Sequence, residues 1–267
     1  MLVKAKKSLG QNFLKDESII ERILAVAEIG PEDRVFEIGP GTGVLTKVLD
    51  SRAKQVVAME LDHQLVERLE THFKASEGVS ILEGNILDAN LHEILTHAGY
   101  ESGQYKVVAN IPYYITAPII RTLLSLQSRP QSLTLMVQKE VAERLTAEPG
   151  AMSLLSLMAQ YYSDVHIAFT VPKEAFDPVP KVDSAVVQLV PKRSFDSEED
   201  RKFFRIARAG FAARRKTLAN NLASSLKIEK PAVEAVLATS GLRPDIRAQA
   251  LSVSDWEALR SKLDQTE

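Results

Sequence analysis

The feature that most constrains this fold is an alternation of short apolar runs with helix-like stretches. The runs are rich in β-branched residues and nearly unbroken by charge, as is typical of strands buried on both faces of a parallel sheet. They lie at 35–38, 55–60, 79–82, 105–110 and 133–137. Helix-like stretches lie at 43–50, 62–75, 116–127 and 139–163. Right-handed crossovers between such strands predict a doubly wound, Rossmann-like α/β domain.

The segments on either side of this alternation complete the predicted domain. A first helix over 16–29 is indicated by apolar residues at helical spacing, with Asp16 as its cap. Two more strands, 165–171 and 184–190, follow the alternation with no helix-length segment between them. Because a parallel pair needs a long crossover, we expect these two strands to form an antiparallel hairpin at the sheet edge.

The rest of the chain is predicted to be helical. After Pro191 no strand pattern returns, and Ser254 and Glu257 have the spacing of a capping box that opens a last helix. We therefore expect a catalytic α/β domain over 1–192 and a small all-helical domain over 193–267.

Composition excludes several classes of function. The 267 residues include no cysteine, so disulfide scaffolds, thiolate metal sites and Cys nucleophiles are excluded. The five histidines show no ligand spacing, and we predict no metal. No apolar run approaches the ~18 residues of a membrane span, and the basic start lacks the apolar core of a secretory signal. We expect a cytoplasmic protein without a membrane partner, and a monomer, since no heptad seam is present.

A glycine-rich turn joins the strand at 35–38 to a helix. It contains Gly39 and Gly41, whose missing Cβ atoms let a ligand approach the backbone. Glu60 ends the neighbouring strand, where a carboxylate can accept from both hydroxyls of a ribose. A dinucleotide fingerprint would place glycine at Val44, and a carboxylate at Glu37 suits a sulfonium cation better than a pyrophosphate. S-adenosylmethionine is favoured over NAD, and a purely structural turn is the remaining alternative.

A second motif, Asn110-Ile111-Pro112-Tyr113, follows the strand at 105–110. Ligands of open α/β sheets bind at the carboxyl ends of strands, which places this motif beside the glycine turn. The Asn110 side-chain oxygen and the Ile111 carbonyl could accept from an adenine N6 amine, and the Tyr113 ring could stack on the base. In a methyl transfer from the sulfonium to this amine, orientation of the reactants and electrostatic stabilisation would supply most of the rate acceleration. An ordinary turn with a buried tyrosine is the alternative.

A basic block distinguishes the helical region. Residues 201–227 contain eight Lys or Arg and no acidic residue, which leaves −10 on the rest of a chain of net charge −2. Its apolar positions share one stripe that could dock on the catalytic domain, and its cations lie elsewhere, as expected of a helix that tracks phosphates. The cations that we predict to bind RNA are Arg205, Arg208, Arg214, Arg215 and Lys216. A solvated helix face is an equally simple explanation.

Four segments in order resemble the small-subunit ribosomal RNA adenine N6,N6-dimethyltransferase family. They begin at Lys7, Glu37, Asn110 and Phe176, and read KSLGQNFL, EIGPGTGVLT, NIPY and FDPVPKVDS. The resemblance extends over nearly the whole chain. It implies dimethylation of two adjacent adenosines in the 3′-terminal hairpin loop of small-subunit rRNA, within a partly assembled subunit. An Erm-type enzyme acting on large-subunit rRNA and a non-catalytic assembly factor are the alternatives.

The resemblance also assigns individual positions. It implies that residues 1–15 cover the cofactor, and that Phe176 closes over the face of the target base opposite Tyr113. The positions expected to contact S-adenosylmethionine are Gln11, Asn12, Leu14, Glu37, Gly39, Gly41, Glu60, Leu61, Asn85, Ile86 and Asn110. The family usually has aspartate where this chain has Asn85, and Asp88 is a possible substitute. We expect Asn85→Asp to leave activity intact or to tighten cofactor binding.

Overall fold

The computed structural model describes Lys6, residues 9–193 and residues 196–263, apart from the Ser197 side chain. These residues form two compact units. The first contains the chain up to Glu143 together with Ser163–Lys192, and the second contains Arg144–Tyr162 together with the chain from Arg193. The segment 144–162, which we expected in the first domain, therefore belongs to the second unit.

The first unit is built on a seven-stranded mixed sheet. Its strands are β2 (Arg34–Ile38), β3 (Gln55–Glu60), β4 (Val79–Glu83), β5 (Tyr105–Asn110), β6 (Ser132–Gln138), β7 (Ser163–Val171) and β9 (Ser184–Pro191). Their order is β4-β3-β2-β5-β6-β9-β7. The first five are parallel, and β9 is antiparallel to both β6 and β7. This confirms the doubly wound fold with an antiparallel hairpin at its edge.

Helices and a small second sheet complete this unit. The helices are α1 (Glu17–Ala27), α2 (Val44–Asp50), α3 (His63–His72), α4 (Leu91–His97), α5 (Thr116–Leu124) and α6 (Lys139–Leu145), the last two residues of which belong to the second unit. Strands β1 (Phe13–Leu14) and β8 (Phe176–Asp177) pair antiparallel as a separate two-stranded sheet. The Asp16 carboxylate caps α1 by accepting from the Ser18 N–H at 2.9 Å, as predicted.

The core explains why the sequence selects this arrangement. The central strand β2 is buried along most of its length, so that even Glu37 lies inside the protein. The predicted stripe of α1 packs on the sheet and includes Ile20 and Leu24. Each such side chain contributes roughly 2 kcal/mol when it leaves water, so this one face fixes how α1 lies on the sheet.

Two predictions of secondary structure were wrong. The stretch 139–163 is not one helix, because Pro149 and Gly150 interrupt it and Gly150 adopts a φ of 110°. Helix α4 was not predicted. It is a single amphipathic segment of 7 residues with Asn90 as its cap, too short to produce a clear helical period.

The second unit is all helical. It contains α7 (Leu154–Tyr162), α8 (Ser197–Gly210), α9 (Leu218–Leu226), α10 (Lys230–Thr239) and α11 (Val253–Leu263). The apolar stripe of the basic block packs inside this unit: Phe203 stacks on Tyr161 of α7 at 4.2 Å between ring centroids, and Phe211 stacks on Trp256 of α11 at 5.4 Å. We expected this stripe to dock on the catalytic domain. The side chains on which Phe203 and Phe211 stack belong instead to α7 and α11.

The capping box of the last helix lies two residues earlier than predicted. The Ser252 hydroxyl accepts from the Asp255 N–H at 3.1 Å, and the Asp255 carboxylate accepts from the Ser252 N–H at 2.9 Å. An aspartate thus takes the place of the glutamate that the usual motif requires.

Candidate active site

One cavity contains both motifs that the sequence singled out. It lies where β2, β3 and β5 end, and it encloses roughly 1140 Å³ with the open solvent at its mouth included. Its walls include the glycine turn and the Asn110–Tyr113 motif. All eleven positions that the resemblance assigns to the cofactor also line it: Gln11, Asn12, Leu14, Glu37, Gly39, Gly41, Glu60, Leu61, Asn85, Ile86 and Asn110. Their individual roles stay predictions.

The glycine turn is shaped by backbone that only glycine adopts easily. Gly41 has a φ of 60°, and a Cβ placed on it would lie 3.1 Å from the Phe13 ring. Gly43, at a φ of 81°, precedes α2, and a Cβ there would lie 2.6 Å from Leu69. The turn therefore packs closely against its neighbours on one side and presents bare backbone to the cavity.

Glu60 holds this turn in place. Its Oε2 accepts from the Gly41 N–H at 3.0 Å, and its Oε1 accepts from the N–H groups of Leu61 and Asp62, each at 2.9 Å. A carboxylate that accepts three backbone N–H groups is fixed in orientation at the tip of β3. Its position beside the glycine turn suits contact with a ribose.

Glu37 differs from Glu60 because it is buried without a matching donor. Its side chain lines the cavity at 1% exposure, and its Oε2 has no hydrogen-bond partner among the described residues. Burial raises the pKa of Glu37 to about 8; the Thr46 hydroxyl lowers it and the Glu60 charge raises it further. An unpartnered carboxyl group in a cavity wall is a suitable neighbour for a cationic ligand.

The motif at the end of β5 presents an amide oxygen, Asn110 Oδ1, at the cavity wall. The Asn110 Nδ2 donates to the Asn12 carbonyl at 3.3 Å, and nothing in the described chain donates to its Oδ1. The Pro112 carbonyl is occupied inside the turn, since it accepts from the Ile115 N–H and the Thr116 hydroxyl, both at 3.2 Å. The Pro112 carbonyl is therefore not available to a ligand, whereas Asn110 Oδ1 is. The next residue, Ile111, also lines the cavity.

Tyr113 is held by its hydroxyl group. The phenol and the Ser184 hydroxyl on β9 lie 2.5 Å apart, so the ring is anchored to the sheet while its body lines the cavity. Burial raises the pKa of Tyr113, with Ser184 lowering it and Asp183 raising it, so the phenol stays neutral at physiological pH. A fixed, neutral ring at this place fits the stacking role that the sequence predicts.

The N-terminal segment lies along the cavity. We call residues 9–14 the strap; all six line the cavity, while residues 1–5, 7 and 8 lie outside the described residues. The strap contributes Phe13, which sequence reasoning did not select. Tyr114 was missed as well: it is 55% exposed and lines the cavity beside Tyr113. Its aromatic type was visible in the sequence, but its exposure was not.

Asn85 lines the cavity, whereas Asp88 does not. The two side chains are joined, since Asn85 Nδ2 donates to Asp88 Oδ2 at 2.6 Å. The Asn85 Oδ1 meanwhile accepts from the Leu87 N–H at 3.1 Å. An aspartate at position 85 would set two carboxylates against each other, so the contact with Asp88 argues against the expectation that Asn85→Asp is harmless, which stays a prediction.

Phe176 is not where we expected it. Its side chain is fully buried, at 0% exposure, in the hydrophobic core with Ile20 and Val186, and it does not line the cavity. Its backbone pairs with Leu14 in the small β1–β8 sheet. The ring therefore has no face open to a base in this structure. Apolar burial explains the residue.

The predicted RNA-binding cations lie on the surface of the second unit. Arg205 and Arg208 on α8, and Arg214, Arg215 and Lys216 in the turn before α9, are all exposed. The turn is built on a buried amide: Asn221 Nδ2 donates to the carbonyls of Gly210 at 2.7 Å and Ala213 at 3.0 Å. Three adjacent cations are thus displayed on a fixed backbone, a suitable surface for phosphates.

The described residues contain no group of three or more His, Asp or Glu side chains placed to hold a metal ion. None of the helices they form has the length and apolar character needed to cross a membrane.

Comparisons with known proteins agree with the geometry. The sequence model of the family described as ribosomal RNA adenine dimethylase matches residues 2–264. The protein named ribosomal RNA small subunit methyltransferase A from Dehalococcoides mccartyi is 42% identical over 259 residues, which cover 96% of this chain and 88% of that protein. A dimethyladenosine transferase from Plasmodium falciparum superposes with a TM-score of 0.80 at 26% identity, over 95% of this chain and 98% of the other. The 23S rRNA methyltransferase ErmE superposes with a TM-score of 0.72 at 27% identity, over 95% of this chain and 100% of the other.

The doubly wound sheet and the cavity at its strand ends define a Rossmann-like methyltransferase. Within that class, the chain belongs to the ribosomal RNA adenine dimethylase family. The resemblance read from the four sequence segments is thereby confirmed.

Proposed function

We propose that this protein dimethylates N6 of two adjacent adenosines in the 3′-terminal hairpin loop of small-subunit rRNA, using S-adenosylmethionine, during assembly of that subunit. The observation that carries the proposal is that the glycine turn and the Asn110–Tyr113 motif line a single cavity. Had they opened onto different cavities, no methyl group could pass from one ligand to the other. Such a substrate also makes the cytoplasm the expected location.

The residues of the cavity suit the proposed cofactor. When bound, S-adenosylmethionine supplies an electrophilic methyl group on a positively charged sulfur. Glu60 is placed to accept from ribose hydroxyls, and the glycine turn offers backbone without Cβ atoms. Glu37 places an unpartnered carboxyl group in the wall, where a cation would favour its charged form. The strap covers the cavity with Gln11, Asn12 and Leu14.

Toward the base that accepts the methyl group, the protein would act by orienting the N6 amine. It would not need to remove a proton from N6 before the transfer. Asn110 Oδ1 and the Ile111 carbonyl would accept from the N6 amine, which localises the nitrogen lone pair and raises its nucleophilicity. Tyr113 would stack on the base, which must leave its own stack to enter the cavity. The N6 proton can depart after transfer, so no general base is assigned. Orientation and fixed dipoles supply the acceleration.

Two features support an unpaired loop of rRNA as substrate. Base extrusion costs least where the target is already single-stranded, which favours loops and ends. The exposed cations Arg214, Arg215 and Lys216, in a turn that Asn221 holds by hydrogen bonds, would contact the phosphates of such a loop. The small-subunit target itself follows from the named relative, which is 42% identical, whereas ErmE is 27% identical. The Erm-type reaction is therefore the less favoured alternative.

The test is methyl transfer to purified immature ribosomal subunits. We expect mass spectrometry of rRNA fragments to find two dimethyladenosines in the small-subunit loop and none in large-subunit RNA. Asn110→Ala should abolish transfer. Asn90→Ala removes an asparagine outside the cavity, the cap of α4, and should retain it. Methylation confined to large-subunit RNA would refute the assignment, and an inactive wild type that still binds small subunits would favour an assembly factor.

A further inference from the structure

Lys6, Asp62 and the cavity-lining Gln11 are joined in a closed ring of three hydrogen bonds, which we call the latch. Lys6 Nζ donates to Asp62 Oδ1 at 2.6 Å, and Gln11 Nε2 donates to Asp62 Oδ2 at 3.1 Å. The third side is formed by the Lys6 backbone N–H, which donates to Gln11 Oε1 at 2.7 Å. The latch joins Lys6, and Gln11 of the strap, to Asp62, two residues beyond the end of β3 and 51 residues from Gln11 in sequence.

Asp62 is a rigid anchor for this latch. Its side chain is 2% exposed, against 40% for Lys6, and its Oδ1 also caps α3 by accepting from the Gln64 N–H. Burial raises the pKa of Asp62, but the hydrogen bonds from Lys6 and Gln11 outweigh it and lower the pKa overall. The carboxylate is therefore charged at physiological pH. A buried, charged carboxylate that accepts from both Lys6 and Gln11 contributes more than an exposed ion pair.

Beyond the latch, the strap contacts both motifs of the cavity. The Phe13 ring lies 3.1 Å from where a Cβ of Gly41 would stand, and the Asn12 carbonyl accepts from Asn110 Nδ2 at 3.3 Å. At its far end, Leu14 pairs with Phe176 in the β1–β8 sheet. The strap is thus fixed at both ends, with its central carbonyl on the asparagine of the active-site motif.

The contact with Asn12 decides which way the Asn110 amide faces. A carboxamide has a donor end and an acceptor end, and the two exchange if the group flips. With Nδ2 held on the Asn12 carbonyl, Oδ1 is directed away from the strap, and it is this oxygen that a target amine requires. A strap displaced from this position would leave the amide free to turn its donor end toward the base.

We propose that Asp62 is a positioning residue: through Lys6 and Gln11 it holds the strap over the cofactor and so orients Asn110 for the target base. The proposal rests on the proposed function for the role of Asn110. The first part of the proposal, that the latch holds the strap, does not depend on the proposed function and can be tested without RNA. Asp62 and Lys6 themselves act only through the strap.

The latch can be opened from either side. Lys6→Met removes the cation, Lys6→Arg retains it, and Asp62→Asn removes the charge while keeping a good helix cap. Lys54→Met is the matched control, because it breaks an exposed ion pair with Glu32 away from the cavity. We expect Lys6→Met and Asp62→Asn to raise the KM for S-adenosylmethionine and lower kcat, with kcat/KM falling about five- to tenfold. The KM for RNA should not change.

Two comparisons separate positioning from general damage. Lys6→Arg should restore most of the lost activity, and Lys6→Met combined with Asp62→Asn should be no worse than Asp62→Asn alone, since both break one interaction. Additive losses, or wild-type kinetics in both single variants, would overturn the proposal. Unchanged thermal unfolding of Lys6→Met would show that the fold is intact.

A measurement without RNA keeps the test independent of the proposed function. Hydrogen exchange of the ligand-free protein should be faster over residues 9–15 in Lys6→Met than in wild type, and calorimetry should show weaker binding of S-adenosylmethionine. If wild type methylates no rRNA, the proposed function fails, yet these two results still report on the latch. Equal exchange rates and equal affinities would refute the latch even in a fully active enzyme.

Discussion

Replacing Glu37 by glutamine should change how stability depends on pH. Glu37 is almost fully buried, and its pKa rises from an ordinary 4.5 to about 8. A carboxyl group with a raised pKa in the folded state favours folding fully below pH 4.5, and this contribution is lost as the pH rises through 8. The reason is that the unfolded chain releases the proton first, while the folded protein must retain it or bury a charge.

The size of the effect follows from the pKa values. Each unit of pH between them costs up to about 1.4 kcal/mol, so going from pH 6 to pH 8 should cost the wild type roughly 2 kcal/mol through Glu37. Glutamine is nearly isosteric and does not titrate. The free energy of unfolding of Glu37→Gln should therefore fall by about 2 kcal/mol less than that of wild type when the pH is raised from 6 to 8.

Urea unfolding at pH 6 and pH 8 measures this difference, with Glu77→Gln as an exposed control. Calorimetric titration with S-adenosylmethionine in buffers of different ionisation enthalpy adds a second readout. Wild type should release a proton from Glu37 as the cation binds near pH 7, whereas Glu37→Gln should release none and bind more weakly. Parallel stability profiles for wild type and Glu37→Gln would refute the argument that this carboxyl group is neutral in the free protein.

Other predictions concern the remaining walls and the basic turn. Asn85→Asp should weaken cofactor binding, and adding Asp88→Asn should restore it; calorimetry that finds Asn85→Asp at wild-type affinity would contradict the contact between the two side chains. Tyr113→Ala should lower kcat/KM about 5- to 150-fold, because stacking on a base contributes about 1–3 kcal/mol, while Tyr113→Phe keeps the ring and should lose far less. Arg214→Ala and Arg215→Ala should each reduce the slope of log affinity against log salt by about 0.7, and an unchanged slope in RNA binding assays would exclude phosphate contacts there.

Much of the fold could be predicted because buried parallel strands leave a strong pattern. The strand ends at Glu60 and Asn110 were located correctly, and with them the cavity walls. Phe176 was misplaced because a motif records which residues recur, not which way a ring turns in a core. The latch was missed for another reason: Lys6 and Asp62 are far apart in sequence, and their types are common on any surface. The contact exists only because β3 ends where the strap begins.

The course of the backbone has a consequence for dissecting this protein genetically. Because α7 belongs to the second unit, the chain passes into that unit, leaves it to form β7 and β9, and then returns. A fragment ending at 192 would keep α7 but lose the partners of Tyr161, which include Phe203 and the carboxylate of Asp200 at 3.0 Å. An apolar helix would be left bare on the truncated product. Exchange of helical units between relatives must therefore carry two separate stretches of coding sequence, 144–162 as well as the tail.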